Sequence, residues 1–183
     1  MTPTEQQQLL DIARQSIAAG LHGKHWHPKA EDTDPSLREQ GCSFVTLHKQ
    51  GFLRGCIGAL TAYQPLYEDV AEHAFAAAFS DPRFPPLDES ELDQLHIEIS
   101  LLSPEEPIEF RNKAHLLNQL RPGIDGLTIR SGSHQATFLP AVWQQLPAPE
   151  VFLQHLFKKA GIAMDSWPEN LQAWRYTTEQ FGE

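Results

Sequence analysis

Within the stretch Leu53-Arg54-Gly55-Cys56-Ile57-Gly58, two residues carry reactive chemistry at a spacing of two: Arg54, a permanent cation, and Cys56, a thiol. On a strand, residues two apart share a face. That sets the guanidinium beside the sulfur and puts Leu53, Gly55 and Ile57 on the other side, where Leu53 and Ile57 read as core. A fixed cation favours thiolate over thiol, and the thiolate is the nucleophile. Gly55 and Gly58 have no side chain, so a ligand or another stretch of backbone can come close there. A plainer reading stands beside this one: Cys56 as a small buried hydrophobe and Arg54 as a structural hydrogen-bonding fork. Both stay open at the level of sequence.

A second group lies further on. Leu95, Ile97, Ile99 and Leu101 alternate with His96, Glu98 and Ser100, the period of a half-buried antiparallel strand. If this strand and the Leu53–Gly58 strand share a sheet, with apolar residues on the same side, Arg54, Cys56, Glu98 and Ser100 share its polar face. Glu98 and Asp81 are then the acids within reach of the guanidinium groups; Glu98 is either solvated, paired with Arg54 or Arg83, or the candidate proton carrier beside Cys56. Asp81-Pro82-Arg83-Phe84 sets a carboxylate and a guanidinium two apart at the end of a predicted helix. The pair is either a helix terminator with a local ion pair or a clamp for an anionic ligand reaching toward the sheet. His25 and His27 flank Trp26, but two imidazoles without a further ligand cluster do not make a metal site. No phosphate loop, dinucleotide fingerprint or nucleophile elbow occurs, so no cofactor is expected.

The elements that must position these residues are readable from periodicity. A helix is expected over 4–20, with Thr4 and Gln7 at capping-box spacing and Gly20 as its stop. Residues 22–40 show no period and read as a surface loop. Cys42–His48 and Phe52–Leu60 form a predicted hairpin across Gln50-Gly51. Pro65 opens a helix that runs to Phe79 and is ended by Asp81-Pro82. After an acidic turn at Asp88–Asp93 and the alternating strand, the pattern predicts a helix over Asn112–Leu120 and a second hairpin over Leu127–Leu139. A helix over Glu150–Ala160 follows, with Val151, Leu153, Leu156 and Phe157 inward, then a late strand over Gln172–Thr177. Hairpins interspersed with helices, without βαβ alternation, indicate an α+β fold with a mainly antiparallel sheet and flanking helices.

Composition bounds the rest. The 183 residues suffice for one substantial core or a core with an appended subdomain. Fourteen Lys and Arg against 24 Asp and Glu give a net charge of −10, which argues against phosphate backbones and anionic membrane surfaces as partners. No apolar run is long enough to span a bilayer. The first twenty residues lack a basic start and an unbroken apolar block, so no signal peptide is expected. Cys42 and Cys56 stand outside any CxxC pair and read as thiols of a reducing, cytoplasmic compartment.

The hexapeptide Leu53-Arg54-Gly55-Cys56-Ile57-Gly58, LRGCIG, resembles the hallmark of the AMMECR domain family. The likeness continues in order and spacing through Asp81-Pro82-Arg83-Phe84-Pro85-Pro86-Leu87, Ile97-Glu98-Ile99-Ser100-Leu101-Leu102-Ser103-Pro104, and Thr137-Phe138-Leu139-Pro140 followed by Trp143. It covers roughly residues 41–181, and the stand-alone bacterial form of the family is the nearest likeness. The resemblance implies one AMMECR-like domain over 1–183, of α+β fold, with a larger and a smaller subdomain. It also implies association with a Memo-like protein, itself similar to non-haem-iron dioxygenases, and with a radical-SAM enzyme. It brings no settled reaction with it. Two functions follow: an accessory or binding module acting beside those partners, or an enzyme using Cys56 as nucleophile on a small or peptide-like substrate. In the second, Arg54 or Arg83 would hold an anionic group and Glu98 would handle protons.

Overall fold

The computed structural model describes residues 1–163 and 165–183. The chain forms two compact units, Met1–Leu102 with Glu179–Glu183, and Ser103–Thr178. Helices and antiparallel sheets are mixed in both, so the fold is α+β.

The first unit opens with α1 (Pro3–Leu21). Its N-cap is Thr2, not Thr4. The Thr2 hydroxyl accepts the Glu5 N–H, and Glu5 returns to the Thr2 N–H. Proline at the first helical position explains the earlier start, since its fixed φ suits a helix and its missing N–H is not needed there. Gly20 does not stop the helix either. A Cβ on Gly20 would lie 2.3 Å from the Phe79 ring, so glycine serves there to admit a neighbouring aromatic. The 22–40 stretch is largely exposed, yet it winds into short 3-10 turns at Ala30–Asp32 and Pro35–Arg38 and is pinned by buried Pro28, Thr33 and Leu37.

β1 (Gln40–Gly41) pairs with β4 (Gln64–Pro65). Between them lies the hairpin of β2 (Ser43–Lys49) and β3 (Phe52–Gly58). Both turn residues, Gln50 (φ 52°) and Gly51 (φ 80°), take positive φ, the twist a two-residue hairpin loop favours. α2 (Leu66–Phe79) follows, and β5 (Leu95–Leu102) pairs antiparallel with β2. The C-terminal strand β10 (Thr178–Gly182) completes a four-stranded sheet in the order β10-β5-β2-β3. Val45, Leu47, Ile97 and Ile99 point from this sheet into a core shared with Leu9, Ile17, Val70 and Ala74 of the two helices. At about 25 cal/mol per Å² of apolar surface, such burial is the main force holding helices on sheet.

The second unit holds β6 (Glu106–Ile108), α3 (Lys113–Gln119), β7 (Gly126–Ser131), β8 (His134–Phe138), α4 (Pro149–Ala160) and β9 (Gln172–Tyr176). Its sheet order is β6-β9-β7-β8, every pair antiparallel. On α4 the inward face carries Phe152 rather than Val151, which is 39% exposed. The Phe152 ring stacks on Trp143 at 3.7 Å between centroids, a contact valine could not make.

Candidate functional site

The hairpin is not regular. Leu47 faces Gly55 and His48 faces Leu53, which leaves Arg54 with no partner on β2. One extra residue on one strand is a β-bulge. It reverses the alternation upstream of Gly55, and two expectations fall with it. Leu53 leaves the core side and is 41% exposed. Arg54 leaves the row it was expected to share with Cys56.

Arg54 instead forks onto Glu91, through Nε to Oε1 at 3.1 Å and Nη2 to Oε2 at 2.9 Å. Nη2 also reaches the Pro86 carbonyl at 3.4 Å. Glu91 further accepts from Lys49 Nζ at 2.7 Å and from the Asp88 N–H at 3.0 Å. The Arg54 hydrogen bonds, helped by Lys49 and opposed by burial, hold the Glu91 carboxyl down at about 2. Glu91, not Glu98, is therefore the arginine's acid. A short 3-10 turn over Glu89–Gln94 with Asp88 as N-cap delivers it. The spacing Asp88-x-x-Glu91 is a capping-box signature visible in the sequence.

Arg83 also finds a nearer acid than Glu98. Asp81 Oδ1 accepts from the Arg83 N–H and Nε, each at 3.0 Å, and Oδ2 accepts from Nη2 at 2.7 Å. The same Oδ2 takes the Cys56 N–H at 2.9 Å, while Arg83 Nη2 reaches the Cys56 carbonyl at 3.4 Å. β3 is an edge strand, and the pair caps the backbone groups that such an edge leaves open. Asp81 is 4% exposed, and the Arg83 hydrogen bond, outweighing burial, holds its carboxyl well below the usual range.

The glycines admit backbone. A Cβ at Gly55 would sit 2.1 Å from the Ala77 carbonyl oxygen, and one at Gly58 would sit 2.4 Å from the Ser43 carbonyl. The C-terminal turn of α2 thus rests directly on β3.

The other face of the sheet is different. Across the strands Thr46 stands between Cys56 and Glu98, Phe44 between Gly58 and Ser100, and His48 between Leu53 and His96. Cys56, Glu98 and Ser100 therefore occupy one face, without Arg54. Thr46 Oγ1 donates to Cys56 Sγ at 3.2 Å. Cys56 and Glu98 are two strand spacings apart, about 9–10 Å between Cα atoms, with the threonine in the gap. Cys56, Thr46, Glu98 and Ser100 are half-buried. Among the described residues, the side chains of Glu98 and Ser100 make no hydrogen bond or ion pair. Cys42, buried, and Cys56 are not joined by a disulfide. Among the described residues no group of three or more His, Cys, Asp or Glu is arranged to hold a metal ion.

Thr46, His48 and Glu91 were not anticipated. β2 alternates as cleanly as β5, with Phe44, Thr46 and His48 opposite Val45 and Leu47. That signal places Thr46 and His48 between the two strands already singled out.

The sequence profile of the AMMECR1 family matches residues 10–181. The chain belongs to the AMMECR1 family. A relative from Methanothermobacter thermautotrophicus is 36% identical over 182 residues, covering 96% of this chain and 92% of its own. One from Thermococcus onnurineus is 38% identical over 186 residues, covering 96% and 88%. The crystal structure of PH0010 from Pyrococcus horikoshii, described as an uncharacterized protein, superposes with a TM-score of 0.84. That match has 36% identity and covers 96% of this chain and 89% of that one. The AMMECR1 assignment spans the LRGCIG strand, the Asp81–Leu87 loop and β5 alike. Among the described residues no helix is long and apolar enough to cross a membrane.

Proposed function

We propose that this AMMECR1-family chain is an accessory or binding module rather than an enzyme, acting beside a Memo-like protein and a radical-SAM enzyme as in the AmmeMemoRadiSam system. The observation that carries the non-catalytic part is the fork of Arg54 on Glu91. A guanidinium already bound through two nitrogens to a nearly buried carboxylate is not available to hold an anionic substrate. Arg83 is engaged in the same way by Asp81. The motif's arginine and glycines then set the position of β3, and the exposed part of the strand is what a partner would meet. The identity of the partners rests on the family resemblance.

The test is co-elution of the full chain with the Memo-like and radical-SAM proteins of its own genome. A shared peak that survives Cys56→Ser supports the reading. Separate elution of all three proteins contradicts it.

A second reading has its own support. Thr46 donates to the Cys56 sulfur, and Glu98 lies on the same face with its carboxylate unengaged among the described residues, which supports a thiol nucleophile with an acid nearby. Rapid, stoichiometric alkylation of Cys56 in the folded protein, with Cys42 spared, favours this reading. Reaction only on unfolding removes it.

A further inference from the structure

The tip of the β2–β3 hairpin presents apolar side chains to solvent. Phe52 is 78% exposed, the most of any large hydrophobic side chain among the described residues, and its neighbour Leu53 is exposed as well. Single apolar residues on a surface are ordinary. Two consecutive ones on an edge strand are not, because natural edges are usually guarded by charge against unwanted pairing. The tip is also held in place. Gln50 and Gly51 close it in a two-residue turn, Lys49 Nζ ties it to Glu91 at 2.7 Å, and the Arg54 fork on the same carboxylate fixes the residue that follows it. Leu53 stands opposite His48 and falls on the face that carries Cys56, Thr46 and Glu98, whereas Phe52 stands opposite Lys49 on the other. A tip fixed in this way loses little freedom when a partner closes on it.

The turn beside the tip is acidic. Of the four carboxylates in the 88–94 segment, Glu91 turns inward and takes both nearby cations, Lys49 and Arg54. Asp88, Glu89 and Asp93 stay exposed, and among the described residues none of them joins an ion pair. The apolar tip thus has negative charge on one flank, with its own cations already engaged. An anionic lipid surface is repelled by that flank. A second copy meeting the tip about a two-fold axis would set acid against acid. A protein surface with Lys and Arg around an apolar groove suits both features, and the opposite charge also speeds encounter with a chain of net charge −10.

We propose that the hairpin tip is the docking element of the module: Phe52 and Leu53 enter an apolar groove on a partner protein whose basic rim faces Asp88, Glu89 and Asp93. The docking element rests on the module reading and adds to it the anchor residues and the chemistry of the surface they enter.

Biolayer interferometry of the full chain against the Memo-like and the radical-SAM protein of its own genome, each separately, tests it. Binding to one of them is expected, weakened at least ten-fold in Phe52→Ser, as for an aromatic anchor. Glu89→Gln/Asp93→Gln should weaken it several-fold and make it less sensitive to salt. Ile124→Ser, at an exposed apolar position of the second unit, should bind like the native chain. Phe52 packs against so little that the urea midpoint of Phe52→Ser should match the native one, which separates lost binding from lost fold. Native affinity in Phe52→Ser, or an equal loss in Ile124→Ser, overturns the docking element and leaves the module reading standing. No binding of the native chain to either protein overturns both. A concentration-dependent dimer that Phe52→Ser dissolves also overturns the proposal, since the tip would then belong to a second copy of this chain.

Discussion

The two sides of Cys56 differ in how their charges are used. Toward the Asp81–Leu87 loop and the Glu89–Gln94 turn, the two buried carboxylates are matched with the neighbouring cations: Glu91 with Arg54 and Lys49, and Asp81 with Arg83 and the Cys56 N–H. On the Glu98 face the sulfur has one hydroxyl donor, and Glu98 and Ser100 are unengaged among the described residues. A nearly buried charge must be satisfied by its neighbours or it destabilises the fold. A half-exposed one can be satisfied by water, and later by a ligand or partner. The contrast separates residues that hold β3 in place from residues that β3 displays.

The comparison breaks first at Glu91. Glu91→Gln leaves Arg54 poorly compensated at a site where both side chains are 11% exposed, and should cost about 3–5 kcal/mol in urea unfolding. A cost under about 1 kcal/mol would place Glu91 with the displayed residues instead. The pH dependence points the same way. The folded pKa of Glu91 is depressed from 4.5 to about 2, so its contribution is present above the unfolded pKa and is lost as pH falls from about 4.5 toward 2. Over that window the native protein should lose about 3 kcal/mol through this group, and Glu91→Gln should flatten the profile there.

Asp81→Asn removes charge from the cap on the Cys56 backbone. Since Arg83 is 54% exposed and water can take over part of its solvation, a smaller loss of about 1.5–3 kcal/mol is expected. Gly55→Ala should cost a comparable 1–3 kcal/mol by pressing a methyl group against the Ala77 carbonyl. The displayed face should respond least. Glu98→Gln should change stability by no more than about 0.5 kcal/mol, while any effect on partner co-elution would appear there. A large melting shift from Glu98→Gln would show that this face is as structural as the other.

Much of this fold could be read in the chain before its coordinates. The hairpin turns, the β5 alternation and the helices follow from local period and turn chemistry, which act over a few residues. The corrections share one cause. The bulge at Arg54 arises from pairing between strands and shifts every face assignment upstream of Gly55. Likewise the acid that meets Arg54 comes from residue 91, delivered by a 3-10 turn, although the alternation had pointed to residue 98. Gly20 inside α1 is explained by the rings of Phe79 and Phe75, far along the chain. The Cys56–Glu98 face was legible because β5 alternates cleanly and Cys56 lies on the regular part of β3 beyond the bulge, in the same sheet. Thr46 between them required knowing the strand order.

The central claim is that the hexapeptide's arginine is a structural fork, and a double-mutant cycle across Arg54 and Glu91 tests it most directly. Arg54→Met, Glu91→Gln and the double variant would be unfolded in urea alongside the native chain. A coupling energy of at least about 2 kcal/mol is predicted, within the range for residues in direct contact. Additivity within about 0.3–0.5 kcal/mol, the behaviour of independent sites, would contradict the claim and return Arg54 to the residues open to a ligand.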